Sequence, residues 1–117
     1  MRLHAIAAVF GLFGIIGASG AQAAVALAYS PSSGRGASDN SSFNIDDVRR
    51  RAVSKCGTGC SVVFSGKGTC AAVVSAGRGQ PWAVSRGTSV STAANAAWHG
   101  CRRKGGVNCE TVASVCE

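Results

Sequence analysis

The chain has 117 residues, with twelve Lys/Arg, five Asp/Glu, two histidines and six cysteines, for a formal net charge of +7. That length fits one domain whose core alone is marginal, and so few acids and histidines leave little material for an acid–base catalytic set. The positive balance favours anionic partners or surfaces, although charge governs encounter rates and does not choose a ligand.

In chain order, residues 1–23 read as a secretory signal peptide. Arg2 gives a positive start, residues 5–18 are apolar and uncharged, and Ala21-Gln22-Ala23 is a small-x-small cleavage signal. An uncleaved anchor is the alternative, because the uncharged run continues to Tyr29 and could span a bilayer. Gly11, Gly14, Gly17 and Gly20 interrupt that run. Cutting after Ala23 removes Arg2, which takes +7 to +6, and leaves residues 24–117 as one secreted domain with no stable membrane span.

A first strand is expected near residues 25–30, followed by a polar Gly/Ser loop over 31–42 that lacks any apolar period. Asn44 is a fitting N-cap for a helix running to Cys56, with Asp46 and Asp47 in its first turn. Ile45, Val48, Ala52, Val53 and Cys56 form its apolar stripe; Arg49, Arg50, Arg51 and Lys55 fall mostly off it, and Gly57 suits the C′ position. Strands are predicted near 61–65 and 69–76, with Ser65-Gly66-Lys67-Gly68 as a hairpin turn between them. Residues 77–81 form another turn, and a further strand covers 81–86. A second helix starts near residues 88–91 and runs through AANAAWHG to Cys101, with Val90, Ala93, Ala94, Ala97 and Cys101 on its apolar face. Arg102, Arg103 and Lys104 sit at its cation-tolerant end. A last strand covers 108–115.

The two halves, roughly 24–70 and 71–117, look alike. Val48/Ala52/Cys56 and Ala93/Ala97/Cys101 share one i, i+4, i+8 spacing, and each helix leads into a cysteine, a short gap and an apolar run. The expectation is an α+β fold: two pseudo-symmetric β-α-β repeats forming one small sheet, with two helices packed on one face and disulfides stapling it. An even cysteine count in a short exported chain is the signature of such stapling. Treating both halves alike pairs Cys56 with Cys60, Cys101 with Cys109, and Cys70 with Cys116, the last tying half to half. The rival pairing joins Cys56 to Cys70 and Cys101 to Cys116.

Zinc would want two short cysteine spacings or histidines, and only Cys56-x₃-Cys60 is close-set. Redox chemistry would want a thiol at a helix start, and Cys56 lies at a helix end. No metal or cofactor is expected.

ALAYS (26–30), the helix into Cys56, CSVVFSGKGTCAAVVS (60–75), WAVSRGTS (82–89), AANAAWHGC (93–101) and VNCETVASVC (107–116) together carry a family likeness. The chain resembles a family of small secreted bacterial proteins known as domain of unknown function 4189. The resemblance implies an exported, cysteine-bridged α+β domain and supplies no activity or catalytic residue to transfer.

Residues suited to catalysis are few. His99 is the one histidine beyond the signal segment, and a lone histidine on an Ala-rich helix is more often a packing or surface residue. The acids are scattered, so neither a triad nor a glycosidase pair (Asp39 or Asp47 with Glu110) is indicated. Residues 65–69, SGKGT, lack the spacing and following helix of a phosphate loop. Trp82 and Trp98 read as core plugs.

Two basic clusters remain, Arg49/Arg50/Arg51/Lys55 and Arg102/Arg103/Lys104. They suit an anionic surface or an acidic protein, whereas nucleic acid would bring several aromatics interleaved with the basic residues, and only Trp98 is near. The expected function is a secreted, non-catalytic binding module, effector- or inhibitor-like. The alternative is a small secreted hydrolase acting on cell-envelope polymers through Asp47, Glu110 or His99. Sequence leaves the oligomeric state open.

Overall fold

A computed structural model describes residues 22–117; residues 1–21, which carry most of the expected signal peptide, lie outside them. The first strand, β1 (Ala24–Ser30), is buried along its whole length, and its two sides meet different neighbours. Ala24, Ala26 and Ala28 face Val48, Ala52 and Cys56 of a helix, α1 (Ile45–Cys56). Val25, Leu27 and Tyr29 face the other way, into a cluster with Ala71, Val73 and Val115. Small side chains on one side let a helix lie close, and large ones on the other fill the space beneath a second sheet.

That second sheet corrects the expected architecture. The strands form two three-stranded antiparallel sheets, not one. In the first, β1 lies between β2 (Arg35–Asp39) and β3 (Ser61–Lys67); in the second, β4 (Cys70–Ser75) lies between β5 (Trp82–Gly87) and β6 (Glu110–Cys116). The other helix, α2 (Val90–Arg103), sets Ala97 and Cys101 against Val74 and Ala83 on the outer side of the second sheet. The helices therefore cover opposite outer faces, giving four layers in the order α1, sheet, sheet, α2. β4 is buried on both sides like β1, and a strand of that kind needs cover above and below. A single sheet with both helices on one face would have left Val25, Leu27, Tyr29 and Val73 in water, at about 1.5–3 kcal/mol each.

Two local expectations also change. β2 lies inside the stretch expected to be loop; it pairs with β1 from Ala26↔Asp39 to Ser30↔Arg35. Backbone pairing drives it, because the buried β1 has ladder groups to satisfy on both edges. The unit is thus β-β-α-β, with its first strand in the middle. Residues 65–68 do not close a hairpin, since β3 pairs with β1 and β4 pairs with β5 and β6. The chain crosses there from one sheet to the other.

The helix ends follow their sequence signals. Asn44 Oδ1 accepts from the backbone N–H of Asp46 at 2.9 Å and of Asp47 at 3.2 Å. Ser89 Oγ accepts from the Thr92 N–H at 3.1 Å. Gly57 ends α1 at φ 101°, a region that favours glycine, and donates to Val53 O at 2.9 Å. On α2, a Cβ at Gly100 would lie 2.9 Å from Ala83 Cβ. Only glycine lets that helix sit so close to β5.

Three disulfides join Cys56 to Cys60, Cys70 to Cys116 and Cys101 to Cys109. Cys70 and Cys116 stand opposite each other in the β4–β6 ladder. Cys70 opens β4, so the boundary between the halves falls before it; the bridge closes the second sheet, and the expected tie of half to half is not made. No disulfide crosses between the sheets; the apolar cluster around Leu27, Tyr29 and Val73 holds them. Tyr29 also stacks at a tilt on Trp82, with centroids 4.9 Å apart, and its hydroxyl meets Ser75 Oγ at 2.5 Å.

Candidate functional site

With Val48, Ala52 and Cys56 turned inward, α1 presents its cations outward, and each meets a different fate. Lys55 Nζ reaches Asp39 Oδ1 at 2.7 Å and Ser38 O at 3.2 Å. The Asp39 side chain is 1% exposed. Burial by itself would raise its pKa; hydrogen bonds from Lys55 and from the Ser41 hydroxyl and N–H outweigh that and hold it below the ordinary value. Lys55 is therefore a structural partner. Arg51 donates to Ser41 Oγ at 2.6 Å, on the same side as Asp39.

Arg49 and Arg50 are placed differently. Arg50 pairs with Asp47 on its own helix, yet its side chain is 71% exposed; solvent-exposed pairs of this kind contribute little and exchange readily. Arg49 Nη1 reaches across to Ser65 Oγ of β3 at 3.4 Å. Between helix and strand runs an open groove of about 490 Å³, lined by Arg49, Arg50, Val53, Ser54 and Val62. Val53 and Val62 give it an apolar lining, and Arg49 and Arg50 flank it. Sequence reasoning found the arginines but missed Val62 and Ser65; strict alternation would put these two on opposite faces, and only the bulge at Val63 brings both to the helix side.

The second basic cluster lies on the opposite outer layer. Lys104 Nζ donates to Trp82 O at 2.8 Å and sits 5.7 Å from that ring's centroid. Arg102 lies 5.3 Å over Trp98, whose edge contact with His99 has a centroid distance of 5.1 Å. Arg103 is exposed beside them. The two clusters do not converge: two sheets, spaced about 10 Å apart, lie between the helices. Trp82 packs against the inter-sheet core as expected. Trp98 does not, being 39% exposed, because the face of α2 toward the sheet is filled by Ala93, Ala97, Gly100 and Cys101.

The candidate acid–base residues are spread over the molecule. Asp47 is on α1 with Arg50, and His99 is on α2. Glu110 borders a hollow of about 270 Å³ with Ser75, Gly77 and Asn108. A third hollow, about 350 Å³, is lined by Thr69, Thr88, Glu117 and the Cys70–Cys116 bridge. None of these three hollows contains two of Asp47, His99 and Glu110. Among the described residues, no three His, Cys, Asp or Glu side chains gather as a metal set, and no helix is long and apolar enough to cross a membrane.

Fold and bridges define a small disulfide-bonded α+β domain of four layers. Comparison with known families places it further: the chain belongs to the family described as Domain of unknown function (DUF4189), which matches residues 24–116. No curated protein and no solved structure matches it.

Proposed function

We propose that this protein is a secreted, non-catalytic binding module that holds an anionic partner in the groove between α1 and β3. The observation that carries this reading is the pairing of Arg49 and Arg50 with an apolar lining, Val53 and Val62. Guanidiniums beside apolar surface suit an acid with an aliphatic body, since the fork geometry fits carboxylates and the stem buries carbon. Three disulfides fit an oxidising compartment, extracellular or periplasmic. The shared strand order of the two sheets supports reading the chain as two copies of one unit, divided between β3 and β4 rather than after Cys70. Superposing the Cα atoms of the two halves tests that point, and helices that fail to coincide would contradict it.

Titration with polyglutamate across a salt series tests the binding role. Affinity should fall as salt rises through the range where the Debye length shrinks from about 30 to 8 Å, and should drop about tenfold in the Arg49→Gln/Arg50→Gln variant, the size expected for losing two solvent-exposed ion pairs of about 0.7 kcal/mol each. Equal binding by variant and parent would sink this reading. Arg102→Gln/Arg103→Gln serves as the control on the opposite face.

A further inference from the structure

The outer edges of the two sheets differ in one respect. β2 carries Arg35 and Asp39, β5 carries Arg86, and β6 carries Glu110, charges of the kind that discourage pairing with another chain. β3 runs from Ser61 to Gly66 without a charge and meets one only at its last residue, Lys67. Among the described residues, β3 has β1 as its only strand neighbour. Its outward N–H and C=O groups therefore face no other strand.

The two sides of this edge also differ in chemistry. Val62 and Ser65 lie toward α1, where Arg49 and Arg50 flank the groove. A register irregularity opposite Leu27/Ala28 leaves both Val63 and Phe64 on the inter-sheet side, half-buried against the core. A strand added along β3 would alternate its own side chains between these two environments. Those on one side would meet guanidiniums; those on the other would meet Val63 and Phe64.

We infer that β3 is a strand-addition site for an extended peptide whose acidic residues alternate with apolar ones. Ladder hydrogen bonds supply affinity in this mode, and the alternate side chains supply selectivity. A second copy of the chain fits less well, because antiparallel β3–β3 pairing would bring Arg49, Arg50 and Lys67 of each copy toward those of the other. The inference rests on the α1–β3 groove being the anion site and names the kind of partner it takes.

The test titrates the oxidised protein by calorimetry with four probes: a capped Val–Glu alternating octapeptide, the same peptide N-methylated at alternate amides in each of the two phases, and polyglutamate of equal charge. The alternating peptide should bind about tenfold tighter than polyglutamate, and one N-methylated phase should lose about tenfold, as expected when ladder hydrogen bonds are blocked. Amides of β3 should gain protection from hydrogen exchange. If polyglutamate or both N-methylated peptides bind as well as the parent, strand addition is wrong and the anion groove survives. If no acidic probe binds, both readings fall. A concentration-dependent dimer abolished by Val63→Lys would overturn the peptide in favour of a second copy.

Discussion

Replacing Cys70 and Cys116 together by alanine should destabilise the protein about twice as much as replacing Cys56 and Cys60. The sequence separations closed by the bridges are 46 residues for Cys70–Cys116, 8 for Cys101–Cys109 and 4 for Cys56–Cys60. The chain-entropy relation then gives about 4, 2.5 and 2 kcal/mol respectively. In a domain this small each kcal/mol moves the melting temperature by about 4–8 °C. C70A/C116A should therefore melt about 20 °C lower, and C56A/C60A about 10 °C lower. Thermal and urea unfolding followed by circular dichroism would measure both. The Cys101–Cys109 pair is a poorer comparison, because both of its residues are buried and alanine there adds a cavity penalty. Equal losses for the two tested pairs, or the reverse order, would refute the argument that the β4–β6 bridge acts chiefly by restricting the unfolded chain.

Lys55→Met should cost about 1–3 kcal/mol in urea unfolding, because Asp39 stays buried after losing its cation while the half-exposed lysine and the remaining Ser41 hydrogen bonds soften the loss; no measurable loss would place the pair in water. The folded pKa of Asp39 is depressed, so its contribution is present above the unfolded value of about 3.9 and disappears as pH falls through the folded value. An Asp39→Asn variant should therefore show a shallower loss of stability than the parent below about pH 4. Tyr29→Phe should cost about 1 kcal/mol, since Ser75 Oγ keeps the Gly77 N–H at 3.0 Å; a loss near about 3 kcal/mol would mean Ser75 is left stranded. Gly57→Ala should cost about 1–3 kcal/mol, because φ 101° with ψ −165° is a backbone region that glycine alone adopts readily. The new Cβ would also lie 2.9 Å from Arg35 Nη2, a contact the flexible arginine can relieve, so adding Arg35→Ala should recover little in a thermal melt.

Much of the local structure was legible because it depends on near neighbours. Asn44 caps α1 through its own side chain, and Val48, Ala52 and Cys56 mark a buried stripe by spacing alone. Asp39 was not legible: a single acid in a Ser/Gly stretch gives no sign that Lys55 will cover it from another element. Nor was β2, whose side chains show no alternation and whose pairing is set by the backbone of β1. Half of the candidate groove was visible, as Arg49 and Arg50. Val62 and Ser65 joined it only when β3 settled beside α1.

The cysteine spacing, the two capped helices and the basic balance are properties of the sequence itself, since each follows from covalent order, short-range hydrogen bonding or a count of charges. Tertiary structure decided that there are two sheets, that the helices lie on opposite outer faces, and that the basic clusters stay apart. The reason is burial: β1 and β4 are apolar on both sides, and which layer covers each side depends on residues far away along the chain.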